Sequence, residues 1–338
     1  MKKYNLISFA AAVILALSSC TSQVGGESET LGAPDTPAVT TDAVTGDVTE
    51  EETKSPETEA VTEDYIVSDS PIEPGRTIEA EYAALLDVDS SLVLYEKGGI
   101  DTKIYPASTT KLITALVALK HCSPDTVFTA GNELELVKPG SSLAYVRRGP
   151  KLKLDTLIAG MLMKSGNDAA YVVAAGVGAE ISDDKSITPH EAVEVFIDEM
   201  NKFARENNMK GSHFTCPDGF HDDEHYTTMR DMFTVARLSV QNDVIMKYTK
   251  TVEEKFYYVS GENITWTNTN ALINPNSSTY YKYATGLKTG TTDEAGNCVL
   301  ATAEKDGKVL VACIFRHPDS SGKFADAKTL FAEVFGTR

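Results

Sequence analysis

Residues 106–119, with the sequence PASTTKLITALVAL, join a polar motif to the apolar face of a predicted helix. After Pro106 comes Ser-Thr-Thr-Lys, and the apolar residues that follow recur at the spacing of one helix face. These residues are Leu112, Ile113, Leu116, Val117 and Leu119. The stretch therefore predicts a packed helix whose first turn carries Ser108 and Lys111.

Predicted strands lie on both sides of this helix in the chain. Residues 81–86 and 91–96 form a predicted hairpin around a polar turn, and residues 299–303 and 308–315 form another around Asp306-Gly307. Apolar periodicity predicts further helices at 155–163, 166–178, 189–207, 229–241 and 324–335. Because strands at both ends enclose a helical middle, we expect an α+β fold.

Composition excludes several classes of protein. The chain has 338 residues, with 49 acidic against 31 basic side chains and a net charge of −18. It has no basic stripe that could neutralise phosphates, so we expect no nucleic-acid partner. Five cysteines in this length exclude a disulfide-stapled scaffold, and we expect the four beyond Cys20 to be free thiols. Six scattered histidines leave little for a metal site, and we expect no metal and no cofactor.

Residues 1–20 are predicted to be a lipoprotein signal peptide. Lys2 and Lys3 form its charged start, and the apolar run 6–17 is too short to span a bilayer comfortably. The run ends in Leu-Ser-Ser-Cys, which resembles the lipobox of bacterial lipoproteins, in which Cys20 would be acylated. An ordinary cleaved signal with a coincidental cysteine is the alternative. A lipid on Cys20 predicts an exported protein anchored at the outer face of the cytoplasmic membrane.

Residues 21–77 are predicted to be a disordered tether. They contain 14 acidic and 2 basic residues, 16 Ser or Thr, 5 Pro and a single aromatic residue, Tyr65. A segment with so little apolar surface to bury does not offset its chain entropy, and its like charges extend it. We therefore expect the folded, catalytic domain to span residues 78–338.

The Ser-x-x-Lys spacing occurs three times, at Ser108, Ser182 and Ser320. Ser182 lies in a polar stretch and Ser320 follows a proline in a loop, whereas Ser108 opens an apolar helix. A lysine three positions further on lies one helical turn away on the same face, where it can approach the serine hydroxyl. A serine becomes a nucleophile when a neighbour takes its proton, and a lysine can do so when burial lowers its pKa. The alternative is a helix-capping serine followed by a surface lysine.

Two further motifs carry candidate chemistry. Ser165-Gly166-Asn167 follows the apolar run 157–163, and Lys288-Thr289-Gly290-Thr291 precedes the C-terminal hairpin. An extended Lys-Thr-Gly segment presents polar side chains at a sheet edge, and its glycine lets a ligand approach the backbone closely. Taken alone, the two motifs are also compatible with a polar helix start and a plain turn.

The order of these motifs resembles that of the penicillin-recognising serine enzymes. The closest resemblance is to the D-alanyl-D-alanine carboxypeptidase family of low-molecular-weight penicillin-binding proteins, and it extends from about residue 80 to 335. It includes the segments 105–111, 163–169, 217–220, 268–272 and 286–292. The resemblance implies a β-lactamase/transpeptidase-like fold, in which helices flank an antiparallel sheet and form a helical subdomain.

The resemblance also implies catalytic roles. Ser108 would attack the carbonyl of the penultimate D-Ala in a peptidoglycan stem peptide, and β-lactam antibiotics would acylate it as covalent inhibitors. Lys111 would be the general base, kept neutral by nearby Lys288 and by desolvation. Ser165 would relay a proton to the leaving D-Ala nitrogen.

Substrate-binding roles follow from the same resemblance. Asn167 would hold the substrate's peptide amide, and Lys288 would add positive potential. Thr289 and Thr291, on either side of Gly290, would face the terminal carboxylate. The backbone N–H groups of Ser108 and Thr291 would form the oxyanion hole.

The sequence departs from the family pattern in two places. Some relatives have Arg in the Asn-x-Asn-x-Leu segment to hold the substrate carboxylate, whereas this chain has Thr269. Many relatives also continue into a C-terminal β-domain and an amphipathic anchor helix. Here the sequence ends at Arg338, and we expect the lipid on Cys20 to replace that anchor.

Rival functions can be weighed on the same residues. A β-lactamase or a D,D-endopeptidase of the same superfamily would share the motifs, although a class A β-lactamase needs a Glu-x-x-Leu-Asn segment that is missing between Asn167 and Lys288. A zinc peptidase is suggested by His221-Asp-Asp-Glu-His225, but that motif binds zinc from a helix and here a loop is predicted. A non-catalytic lipoprotein that binds cell-wall peptide is the alternative from another class.

Overall fold

A computed structural model describes residues 65–184 and 186–337. Its strands are β1 (Ile66–Val67), β2 (Tyr82–Asp87), β3 (Leu92–Lys97), β4 (Val127–Thr129), β5 (Lys151–Lys153), β6 (Glu253–Tyr257), β7 (Asn263–Thr267), β8 (Ala284–Thr292), β9 (Gly296–Lys305) and β10 (Lys308–His317). Its helices are α1 (Lys111–His121), α2 (Leu154–Met163), α3 (Asn167–Ile181), α4 (Pro189–Glu206), α5 (Met229–Val240), α6 (Asp243–Lys250) and α7 (Gly322–Phe335). Short 3₁₀ turns cover Ala107–Thr110, Asn132–Leu136 and Ala271–Ile273.

The main sheet has six strands in the order β1-β3-β2-β10-β9-β8. Strand β1 pairs with β3 in parallel, and the other neighbours are antiparallel. Strand β8, which carries the Lys-Thr-Gly segment, therefore lies at one edge. The prediction of an α+β fold with an antiparallel sheet is confirmed, with β1 as its one parallel addition.

Both predicted hairpins are present. Strands β2 and β3 match the first, and β9 and β10 pair around Asp306-Gly307, with Cys313 opposite Leu300. The register then shifts by one residue after Ile314, so that His317 lies opposite Asn297. Such a bulge inserts one extra residue into a strand and follows from local contacts rather than from hydrophobic alternation.

The predicted boundary at residue 77 is wrong. Residues 65–77 belong to the folded part, because β1 pairs with β3 and the Tyr65 side chain is buried against Phe233. The single aromatic side chain of the acidic segment thus anchors its end in the core. The signal peptide and the rest of the predicted tether, residues 1–64, lie outside the described residues.

Each face of the sheet packs against helices. Helix α7 covers β9 and β10 on one face, where Leu330 and Phe331 are fully buried. Helices α1 and α5 belong to the larger core on the other face, together with α2, α3 and α4. The predicted helices at 155–163, 166–178, 189–207 and 229–241 are confirmed as α2 to α5. Helix α6 and the two-stranded sheets β4–β5 and β6–β7 were not predicted.

Local hydrogen bonds fix the helix starts. The Thr228 hydroxyl accepts from the Asp231 N–H at 3.1 Å and so caps the start of α5. Thr188 and Glu191 form a reciprocal capping box at the start of α4. Among the described residues, the structure has no helix that is both long and apolar enough to cross a membrane.

Candidate active site

The Ser108 side chain lies where a 3₁₀ turn leads into α1. One turn separates it from Lys111, and the Lys111 Nζ donates a hydrogen bond to the Ser108 Oγ at 2.8 Å. The preceding residue, Ala107, has a left-handed backbone with φ of 47°. A non-glycine residue adopts this conformation at a cost, as is common at functional turns. The sequence-predicted pairing of Ser108 with Lys111 is therefore present.

The Lys111 side chain is fully buried, whereas Ser108 is half-buried. The Nζ donates a second hydrogen bond to the backbone carbonyl of Asp218 at 2.6 Å. Burial lowers the pKa of Lys111 from 10.5 to about 8, because desolvation disfavours the ammonium form. A substantial fraction of Lys111 is then neutral near physiological pH, as a general base requires.

A second lysine and serine pair lies beside the first. The Lys288 Nζ donates to the Ser165 Oγ at 3.0 Å and to the Thr289 carbonyl at 2.8 Å. Burial, followed by repulsion from Lys111 and Lys323, holds the pKa of Lys288 well below its usual value. The hydroxyls and amines of three distant chain segments thus converge on one place.

Asn167 is the third member of the Ser-x-Asn motif and lies at the start of α3. Its Nδ2 donates to the Ser141 Oγ at 2.9 Å, and its buried Oδ1 has no hydrogen-bond partner among the described residues. The side chain lines a cleft of about 430 Å³ together with Ser108 and Thr291. An acceptor in this position can receive a ligand N–H group.

Strand β8 forms one wall of the site. The Thr289 and Thr269 hydroxyls lie 2.9 Å apart, so the residue that replaces the Arg of some relatives contacts the Lys-Thr-Gly strand. A Cβ at Gly290 would lie 3.0 Å from the Ser108 backbone nitrogen and from the Ala107 Cβ. The missing side chain of Gly290 makes room for the nucleophile's own turn, and the expectation that it also admits a ligand stays a prediction.

Sequence reasoning missed the groups that support this turn. The Thr110 hydroxyl donates its one proton to the Ala107 carbonyl at 2.8 Å. Its Oγ1 is therefore the acceptor in the hydrogen bond of 2.9 Å with His225, and the His225 Nε2–H is the donor. The other ring nitrogen, Nδ1, accepts from the Thr215 N–H at 3.0 Å. Burial lowers the pKa of His225 to about 4, which keeps the imidazole neutral. On the sequence alone, His225 is considered only as a zinc ligand. Nothing in the sequence between Ser108 and His225 predicts the contact with Thr110.

Two more residues were missed as supports. The Asp168 carboxylate accepts from the backbone N–H groups of Ala144 and Val146, each at 2.8 Å, and so fixes the loop that presents Ser141 to the cleft. Gly219 has φ of 78°, and a Cβ there would lie 1.9 Å from the Ala107 carbonyl oxygen. Both lie inside the segments 163–169 and 217–220 that carry the family resemblance, which is the signal that could have identified them.

The His-x-x-Glu-His segment does not form a zinc site. Residues 221–225 lie in a loop before α5, and His225 spends both ring nitrogens on protein atoms. Over the described residues, the structure has no group of three His, Cys, Asp or Glu side chains that could hold a metal ion. Cys122, Cys216, Cys298 and Cys313 are free, as predicted.

The other Ser-x-x-Lys motifs lie away from the cleft. Ser182 follows the end of α3, and its lysine lies outside the described residues. Ser320 is exposed in the turn before α7. Of the described residues in the three motifs, only Ser108 lines the cleft, and Lys323 acts on it at a distance by lowering the pKa of Lys288.

The fold and the site resemble solved penicillin-recognising enzymes. The DD-transpeptidase of Streptomyces K15 superposes with a TM-score of 0.70 at 28% identity, over 77% of this chain and 98% of that one. Penicillin-binding protein D2 from Listeria monocytogenes, in its ampicillin-bound form, gives 0.63 at 25% identity, over 78% and 100%. The prediction of a transpeptidase-like fold is confirmed.

The sequence model of the D-alanyl-D-alanine carboxypeptidase family matches residues 67–318, and the chain belongs to this family. The D-alanyl-D-alanine carboxypeptidase DacF of Bacillus subtilis is 29% identical over 70% of this chain and 57% of its own length. DacA of Escherichia coli K12 is 30% identical over 76% and 61%. The chain thus spans about three fifths of the length of these relatives.

Proposed function

We propose that this chain is a serine D-alanyl-D-alanine carboxypeptidase that removes the terminal D-Ala from peptidoglycan stem peptides. The observation that carries the proposal is the hydrogen bond of 2.8 Å between the buried Lys111 amine and the Ser108 hydroxyl, beside the Lys288–Ser165 pair. Family membership supports the substrate class. A non-catalytic wall-binding protein would have no need to bury two amines around a serine.

The chemistry begins with acylation. Neutral Lys111 accepts the proton of Ser108 as its Oγ attacks the carbonyl of the penultimate D-Ala. The bond to the terminal D-Ala nitrogen then breaks, and Ser165 relays a proton from the lysine pair to that nitrogen. The products of this half-reaction are free D-Ala and an ester on Ser108.

Substrate binding uses the walls of the cleft. Asn167 holds the peptide amide, Lys288 supplies positive potential, and Thr289 and Thr291 bind the terminal carboxylate. The backbone N–H groups of Ser108 and Thr291 stabilise the oxyanion. The close approach of Gly290 to the Ser108 nitrogen supports this pairing of turn and strand. Each such donor contributes about 3–4 kcal/mol to transition-state stabilisation.

Water hydrolyses the ester in a carboxypeptidase, whereas an amine takes its place in a transpeptidase. The resemblance to the Streptomyces transpeptidase makes the second reaction the alternative to test. We expect residues 65–338, incubated with a pentapeptide stem, to release free D-Ala and the tetrapeptide. Fluorescent penicillin should form a covalent adduct with intact protein. Labelling without D-Ala release, restored by an added acceptor amine, would favour transpeptidation, and the absence of any adduct would contradict both.

We further propose that the protein is exported and anchored by a lipid on Cys20, with the acidic residues up to 64 as a tether on the outer face of the cytoplasmic membrane. The charged start, the short apolar run and the Leu-Ser-Ser-Cys sequence support this. Replacement of Cys20 by Ala should release active enzyme from the membrane fraction of expressing cells. Membrane association that persists in Cys20→Ala would contradict the lipid anchor.

A further inference from the structure

The active site buries two lysines, and none of its three motifs supplies an anion to balance them. Lys111 and Lys288 are each at most 1% exposed, and Lys111 lowers the pKa of Lys288 by repulsion. Two buried ammonium groups cost far more than one, and buried charges in proteins are paired. A buried anion close to Lys111 would therefore stabilise its ammonium form.

Asp218 provides such a group. It is completely buried, and its own backbone carbonyl holds the Lys111 Nζ at 2.6 Å. Its Oδ1 accepts from the Phe220 N–H at 3.0 Å, which fixes the side chain. Its Oδ2 is buried and has no hydrogen-bond partner among the described residues. A carboxylate oxygen in this state is stabilised only by positive charge nearby.

Among the titratable groups around Lys111, Asp218 contributes most of the negative charge. Burial raises the pKa values of Cys216 and Tyr171 and lowers that of His225 to about 4, so all three are neutral at neutral pH. On α3, Asp168 is a second carboxylate that acts on Lys111 less than Asp218 does, and the backbone N–H groups of 144, 146 and 169 hold it in place. On β8, Lys288 is an amine and contributes no negative charge. The anions that raise the pKa of Lys111 are led by Asp218.

We propose that the Asp218 carboxylate is the counter-charge of Lys111 and sets the pH above which Lys111 acts as general base. The Asp218 backbone carbonyl contacts the Lys111 Nζ, whereas its carboxylate accepts from the Phe220 N–H instead, so the carboxylate is a positioning group that acts through Lys111. The inference rests on the proposed function, in which Lys111 must lose its proton before Ser108 is acylated.

The sign of the effect follows from electrostatics. A nearby anion favours the ammonium form of Lys111, whereas desolvation and Lys288 oppose it. Removal of the anion makes the ammonium less stable, so Lys111 loses its proton at a lower pH. The acidic limb of the acylation profile should then move toward lower pH, while the plateau rate at high pH stays nearly the same.

The test is the second-order rate of acylation by fluorescent penicillin, measured from pH 5 to 10 on folded protein. Asp218→Asn keeps the shape of the side chain and the acceptor for Phe220 N–H while it removes the charge. We expect the midpoint of the acidic limb to fall by about one pH unit or more. Asp231→Asn is the matched control, since Asp231 is a buried carboxylate that is bonded to Gly211 and Ser212 instead.

The outcomes separate this inference from the proposed function. Wild-type protein that takes up no penicillin contradicts the function itself. Wild-type protein that is labelled, with an acidic limb that Asp218→Asn leaves in place or moves upward, overturns the role of Asp218 alone. If the variant does not fold, the wild-type limb is compared at low and high salt. A buried counter-charge predicts an unchanged midpoint, and a large shift would overturn the proposal.

Discussion

The two faces of the main sheet bury different kinds of side chain. Leu330 and Phe331 of helix α7 share an apolar cluster with Val299 and Ala312, and these four side chains are fully buried. On the opposite face, beside strand β8, Lys288 is equally buried but faces another amine and a hydroxyl. One face excludes water to gain stability, and the other excludes water to alter the chemistry of polar groups.

This difference means that burial has opposite energetic signs on the two faces. Apolar burial in the α7 layer contributes favourable free energy with every methylene group. Burial of two amines costs free energy, and that cost is what shifts their pKa values toward the range where they can exchange protons. Substitutions on the two faces should therefore separate stability from activity.

The largest expected effect is on activity alone. Ser108→Ala removes the nucleophile and should lower both penicillin labelling and D-Ala release by about a thousand-fold or more, with unfolding little changed. The matched control is Ser320→Ala, which alters an exposed serine of the same Ser-x-x-Lys spacing. Mass spectrometry of the penicillin adduct checks both variants, and labelling of Ser108→Ala at another residue would contradict the assignment.

Lys288→Met should lower activity and raise stability together. Loss of the positive potential should slow acylation by about 10²–10³-fold. Removal of a buried amine should stabilise the fold at pH 7 by about 1–3 kcal/mol. Because the folded-state pKa of Lys288 lies below its usual 10.5, the gain should be greatest at low pH and fade as pH rises toward that value.

Chemical unfolding of Lys288→Met and wild type at several pH values measures this difference. Lys282→Met is a control that removes an exposed lysine from the segment just before β8. A variant that is less stable than wild type at every pH would show that Lys288 holds the fold together, contrary to the comparison of the two faces.

Leu330→Ala should have the reverse effect on the apolar face. Truncation of this fully buried side chain should destabilise the fold by about 2–5 kcal/mol, since it leaves a cavity between α7 and the sheet. The acylation rate per folded molecule should stay within about two-fold of wild type, because the cleft lies on the other face. Urea unfolding and titration of active sites with penicillin measure the two quantities, and a large fall in rate would mean that the faces are coupled.

Elements with a repeating apolar pattern or a turn motif could be predicted from the sequence, and elements without one could not. Periodicity was enough for α1 to α5 and α7, whose apolar faces repeat in the sequence, and turn residues were enough for the hairpins of the main sheet. Strand β1 was missed because two residues next to an acidic, proline-rich segment carry no pattern. Their place depends on Tyr65, which finds a partner in the distant Phe233.

The site was predicted where chemistry sits in short motifs and missed where it depends on tertiary contacts. Ser108 and Lys111 are one turn apart, and their contact follows from helix geometry. Asp218 and His225 are more than a hundred residues further along the chain and support the same turn. Gly290 was identified, but for a different reason, because the closeness of β8 to the nucleophile turn is a property of the folded chain.

The smallest expected effect concerns that closeness. Gly290→Ala places a methyl group 3.0 Å from the Ser108 nitrogen, a distance that the turn can relieve only by moving a few tenths of an ångström. We expect acylation to slow by about ten-fold, because the nucleophile and oxyanion N–H groups lose alignment, while unfolding changes by less than about 1 kcal/mol. Gly131→Ala, which also meets an atom at 3.0 Å but in the Glu133 side chain, is the control and should acylate normally. Equal slowing in both variants would show that the effect comes from general strain. It would contradict a specific role for the close fit between strand β8 and the nucleophile turn.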